Sequence, residues 1–101
     1  MHKIVYLPLA QEDILNAVDY LADRLDSPLA AEALLAELED TVRRLLVFPY
    51  AHQLYRTDRP MREEIRRVSV KNYVLYYAVS QDTVEIRRFL HGRRDRNGLF
   101  E

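Results

Sequence analysis

The sequence predicts an α+β domain of order β-α-α-β-β-β, with a helical hairpin packed on one face of a mainly antiparallel four-stranded sheet. Three observations carry that prediction. Aliphatic residues recur at helical spacing through two stretches, from about Ala10 to Leu25 and from Pro28 to Val47. Past Glu64 the chain is dominated by β-branched and aromatic residues, with a polar break at Gln81-Asp82. Ahead of both helices stands Ile4-Val5-Tyr6-Leu7, a short strand stopped by Pro8, which cannot donate to a sheet ladder.

In the first helix Ile14, Val18, Leu21 and Leu25 form the apolar stripe, while Glu12, Asp13, Asp19 and Asp23 fall on the other side. Glu12 and Asp13 are expected in its first turn, against the positive end of the dipole. Asp26-Ser27-Pro28 breaks the pattern: Ser27 suits an N-cap and Pro28 the first helical position. Leu34, Leu35, Leu38, Val42, Leu45 and Leu46 then make a core stripe, closed by Phe48-Pro49. So short a connection implies an antiparallel helix pair. From Pro49 to Arg62 periodicity is lost, and the segment reads as a surface loop.

Ile65, Val68 and Val70 resume a strand pattern, with Arg66, Arg67 and Lys71 interleaved. Asn72 to Ser80 and Thr83 to Leu90 read as a hairpin, followed by His91-Gly92-Arg93-Arg94-Asp95-Arg96. Arg87, Arg88, Arg93, Arg94 and Arg96 face one local acid, Asp95, and a planar guanidinium matches carboxylate or phosphate oxygens two at a time. These groups are expected together on a basic sheet face that the helices leave uncovered. Tyr73, Tyr76 and Tyr77 could stack on bases, but alternation sets Tyr77 opposite Tyr76, so at least one is core.

Charge is segregated along the chain. Residues 1–50 carry four basic and nine acidic side chains, a balance of −5, and residues 51–101 carry eleven and seven, a balance of +4. Such asymmetry points toward an anionic partner. A chain of 101 residues is the size of one domain, assigned here as 1–101. No run approaches the ~20 apolar residues of a membrane span, so a cytoplasmic protein is expected. Without cysteine there is no disulfide, thiolate chemistry or cysteine-based zinc site. His2, His52 and His91 share no metal-ligand spacing. Gly92 and Gly98 are the only glycines, too few for a phosphate-cradling loop, and no small-molecule cofactor is expected. Glu63-Glu64 reads as a solvated pair, and no serine has the setting of an activated nucleophile.

Taken in order, Pro8-Leu9-Ala10 after the first strand, the tyrosine-bearing first helix, Leu46-Val47-Phe48-Pro49 closing the second, Asn72-Tyr73-Val74-Leu75-Tyr76-Tyr77 and His91-Gly92-Arg93-Arg94-Asp95 resemble the RelE/ParE family of bacterial toxins from type II toxin–antitoxin modules. The resemblance covers nearly the whole chain and implies the fold derived above, together with a cognate antitoxin as partner. RelE-like members cleave messenger RNA on the ribosome; ParE-like members act on DNA gyrase.

Carried over residue by residue, the resemblance puts the ribonuclease branch's middle-strand arginine at Val74 and its terminal tyrosine at Phe100. Arg94 matches the arginine after the last strand, and Arg66 and Arg67 fall near the RNA-gripping lysines. A general acid or base contributes ~10²- to 10⁴-fold, none of which phenylalanine supplies. The first expectation is therefore a ParE-like gyrase inhibitor that binds its target or antitoxin through Arg87, Arg88, Arg93, Arg94, Arg96 and Tyr73. An alternative is a ribosome-dependent mRNA endoribonuclease using His91 as proton carrier with Arg94, Arg66 and Arg67. A third is a non-toxic antitoxin-binding module.

Overall fold

The computed structural model describes residues 2–57, 61–94 and 99–100. Strand β1 (Lys3–Tyr6) leads into helix α1 (Pro8–Asp19), which widens into a π-helical turn over Tyr20–Arg24; helix α2 is Pro28–Val47, and strands β2 (Arg66–Val70), β3 (Tyr73–Ser80) and β4 (Thr83–His91) follow. The sheet order is β1-β4-β3-β2. β4 pairs with β3 antiparallel and with β1 parallel, so the amino-terminal strand joins the sheet beside the last one.

α1 begins two residues earlier than its periodicity indicates. Pro8 stops the strand and also opens the helix, where its missing N–H costs nothing. Glu12 and Asp13 consequently lie beyond the first turn, and the dipole does not account for them. The buried line of α1 is Ala10, Asp13 and Ala17. Leu15 and Leu25 are exposed, whereas Ile14 and Leu21 reach the core from its margin. Small residues at positions 10 and 17 let the helix sit close on β4. α2 starts as the sequence predicts: Ser27 Oγ accepts from the Ala30 N–H at 3.3 Å and Pro28 is the first helical residue; Leu34, Leu38, Val42 and Leu45 are buried, whereas Leu35, expected in the stripe, is exposed and Leu46 is partly buried.

Both hairpin turns have two residues. Lys71-Asn72 joins β2 to β3 and Gln81-Asp82 joins β3 to β4, with φ of +53° at both Lys71 and Gln81. β4 carries a bulge opposite Tyr76 and Tyr77, where Tyr76 pairs with Arg88 but Tyr77 with Ile86. The extra residue reverses the alternation, so Ile86 and Phe89 both face the helices although they are three apart.

The second sheet face is covered, which corrects the expectation of an exposed basic face. Tyr73, Leu75 and Tyr77 pack under the helices, while Val74, Tyr76 and Ala78 form a second cluster with Ile65 and Leu90, against which Tyr55, Met61, Leu99 and Phe100 pack. The residues before β2 do this by folding back along its free edge: Leu54 bridges Arg66, the Tyr55 N–H donates to the Ile65 carbonyl at 2.6 Å, and the Arg67 N–H donates to the Gln53 carbonyl at 3.0 Å. A strand apolar on both sides needs cover on both. Tyr76 and Tyr77 do lie on opposite faces, yet all three tyrosines of β3 are buried.

Candidate functional site

The arginines do not form one cationic surface. Arg87 grips Glu63 with two parallel hydrogen bonds, Nη1 to Oε2 at 2.9 Å and Nη2 to Oε1 at 2.8 Å, and also donates to Glu85. Those bonds hold the Glu63 carboxyl below its ordinary range and raise Arg87. Glu63 is thus a partner for Arg87 rather than a merely solvated acid.

Arg88 is tied to Asp13, Nε to Oδ2 at 2.7 Å and Nη2 to Oδ1 at 3.0 Å, and the Phe89 N–H donates to the same Oδ2 at 2.9 Å. The partner alongside β4 ends at Tyr6, and Asp13 takes over as acceptor where that ladder stops. This carboxylate is 8% exposed, whereas the sequence pattern alone sets it on the polar side of the helix. Its alignment with Ala10 and Ala17 was the available signal.

Arg66 lies elsewhere, its Nη1 donating to the His52 carbonyl at 2.7 Å and its guanidinium 5.2 Å above the Tyr50 ring. Arg66 pairs with Tyr77 and His91 with Tyr73. Four residues of strand, about 13 Å of rise, separate those positions. Arg67 pairs with Tyr76, one residue nearer. The four residues proposed for ribonuclease chemistry are therefore divided: His91 and Arg94 line one groove, while Arg66 and Arg67 stand on β2, on opposite faces of the sheet. Arg96 lies outside the described residues.

What does converge is a groove where α1 crosses the end of the β3–β4 hairpin. Asp13, Asn16 and Ala17 line it from α1, and Tyr73, Phe89, Leu90, His91 and Arg94 from the sheet end, around a cavity of about 190 Å³, although the Leu90 side chain belongs to the second cluster on the other face. The Tyr73 ring stacks on Phe89 at 5.0 Å and meets the His91 ring edgewise at 5.4 Å. Burial raises the Tyr73 hydroxyl above its ordinary pKa. The Arg93 N–H donates to His91 Nδ1 at 3.2 Å, leaving Nε2 to carry the proton of the neutral ring. The chain is held into this turn by the Arg94 N–H on the His91 carbonyl and the Gly92 N–H on the Asn72 carbonyl. At Gly92 a Cβ would come within 3.3 Å of that carbonyl oxygen, tighter than an ordinary van der Waals contact. Among the described residues no three His, Asp or Glu side chains gather to hold a metal, and no helix is long and apolar enough to cross a membrane.

Comparison with known proteins decides the family. The family model for the ParE toxin of the type II toxin–antitoxin system parDE matches residues 4–96. This chain belongs to the ParE toxin family. A solved structure described as the chromosomal ParDE TA system from P. aeruginosa is similar with a TM-score of 0.71, covering 90% of this chain and 96% of that chain at 15% identity. At that identity the likeness is one of fold, and it agrees with the helix pair on a four-stranded mixed sheet. Comparison with curated proteins gives no match. In this ParE-family toxin the two positions at which the ribonuclease branch would carry charge or hydroxyl are apolar and inward: Val74 is 4% exposed, and Phe100 packs edgewise on Tyr55 and Tyr76.

Proposed function

We propose that this ParE-family chain is the toxin of a type II pair, that it inhibits DNA gyrase, and that a cognate antitoxin neutralises it. The observation carrying this reading is that Val74, which is buried, and Phe100, which packs partly buried against the same cluster, stand at those positions within a chain of ParE type. Neither an isopropyl nor a phenyl group can give or take a proton. Target and antitoxin contacts are assigned to the groove end of the molecule, through Tyr73, Arg93 and Arg94. Arg87 and Arg88 are not assigned to that contact, since their guanidinium groups already hold acids. Induced expression should arrest growth, and the purified chain should inhibit supercoiling by gyrase. Full supercoiling at large molar excess of toxin refutes the gyrase assignment, and unslowed growth with the folded chain present refutes toxicity itself.

One observation favours a second reading. His91 and Arg94 do share the groove, which is what a ribosome-dependent nuclease acting through them requires. Toeprinting on translating ribosomes separates the two: under the gyrase reading no cleavage appears, whereas cleavage abolished by His91→Ala selects the nuclease.

A further inference from the structure

Two apolar patches are left uncovered, and they stand at opposite ends of α2. At its carboxyl-terminal end Val47, Phe48 and Tyr50 are exposed, Phe48 to 67%. The Ala51 N–H donates to the Phe48 carbonyl at 3.3 Å, a turn that holds Phe48 and Tyr50 side by side. At its amino-terminal end Leu29, 79% exposed, follows exposed Leu25 across the Asp26-Ser27 turn. Leu29 and Val47 lie eighteen helical positions apart, about 27 Å of rise, so no single copy can bring the two patches together.

The patches carry opposite charge. Beside Tyr50, Arg66 spends one N–H of Nη1 on the His52 carbonyl, and among the described residues its Nε and Nη2 meet no acceptor. Arg43 and Arg44 flank the same helix end, each with a solvent-exposed acid of α2 itself, a kind of pair that contributes little. Around Leu25 and Leu29, the exposed acids Asp19, Asp23, Asp26 and Glu32 outnumber one base, Arg24, and among the described residues none of the four is in an ion pair.

We propose that this chain associates with itself head to tail, the Leu25–Leu29 corner of one copy seated on the Val47–Phe48–Tyr50 patch of the next. Charge complementarity selects this mode. A two-fold contact of either patch with itself sets Arg66 against Arg66 or acid against acid, whereas the unlike pairing sets Asp23 and Asp26 against Arg66. Such a contact does not close on two copies; it continues into a ring or an open chain. Few side chains take part, so the contact belongs to the weak, concentration-dependent class. It is independent of the gyrase reading.

The test is sedimentation velocity of the full chain up to about 1 mM, where a weak contact still forms. The weight-average mass should rise with concentration beyond that of two chains, and fall between about 0.05 M and about 0.5 M salt. Phe48→Ser and Leu29→Ser, both at exposed positions and checked for an unchanged Tm, should each be monomeric alone. Mixed in equal amounts they should give dimers and nothing larger, because one variant keeps the corner and the other keeps the patch. A wild-type chain monomeric throughout overturns the proposal and leaves the patches to some other partner. So does association that survives either substitution, association that strengthens with salt, or a mixture that stays monomeric while the wild type assembles.

Discussion

Asp13 is the residue on which the helix layer and the sheet meet. Three donors converge on its carboxylate, and Arg88, its main partner, is raised above its ordinary pKa chiefly by that bond. A buried ion pair contributes little net stability relative to a well-packed apolar pair, but removing one partner leaves an uncompensated charge inside. Asp13→Ala should therefore destabilise the fold by about 3 to 5 kcal/mol. The double variant Asp13→Leu with Arg88→Met should lose less than that single variant, as read from urea midpoints. Additive losses would mean that the two side chains act separately. Tyr77 makes a comparable inward contact, its hydroxyl donating to the Pro49 carbonyl at 2.8 Å, and burial pushes its pKa up to about 12.

At the scale of elements, the turns and the bulge set the register. Lys71 and Gln81 both adopt the left-handed region, where an L-residue with a side chain is strained by roughly 1 to 2 kcal/mol. Glycine relieves that strain at an entropic cost of about 0.5 to 1 kcal/mol in the unfolded chain. Gln81→Gly should thus raise stability by roughly 0.5 to 1 kcal/mol, a rise of a few degrees in Tm for a chain this size. A lower Tm would show that the Gln81 side chain contributes something the turn geometry does not. The bulge at Arg87 and Arg88 has the larger consequence, because without it Phe89 would leave the helix-facing core and the Tyr73–Phe89 stack flooring the groove would be lost.

For the molecule as a whole, two groups govern stability in acid. His52 is lowered from its ordinary pKa, first by burial and then by Arg44. A base with a depressed folded pKa binds its proton more readily when unfolded, so unfolding is favoured as pH falls below about 6.5. Glu63 is lowered by its bonds to Arg87, and a depressed acid contributes stability above its unfolded pKa that is lost as pH falls through the folded one. Both signs agree. Tm should decline in two stages on acidification, beginning near pH 6.5 and continuing below about 4.5. His52→Gln should remove the first stage while leaving the second. Glu63 is largely solvent-exposed, so salt should shrink its contribution.

The covered second face also belongs to this scale. β3 is apolar on both sides over Tyr73 to Ala78, a pattern fully visible in the sequence, and it signals that a second layer is needed. The aperiodic residues before β2 and the pair Leu99-Phe100 supply that layer, and nothing in their spacing announces it. The basic face expected from the interleaved arginines is lost for this reason. Arg87 finds Glu63 twenty-four positions away, and Arg88 finds Asp13 seventy-five positions away.

Local chemistry determined the element order, the Ser27 cap, most of the leucine core of α2 and the β3–β4 hairpin, because each depends on residues within a few positions of one another. The resemblance to the RelE branch, carried over residue by residue, puts valine and phenylalanine where that branch has its charged and hydroxyl groups. Only the tertiary structure decided that β1 lies parallel to β4, which arginines are neutralised and by which acids, and that Tyr73, His91 and Arg94 share a groove with Asn16. Those outcomes are set by contacts between segments far apart in the chain, where desolvation and pairing choose among many sequence-compatible partners.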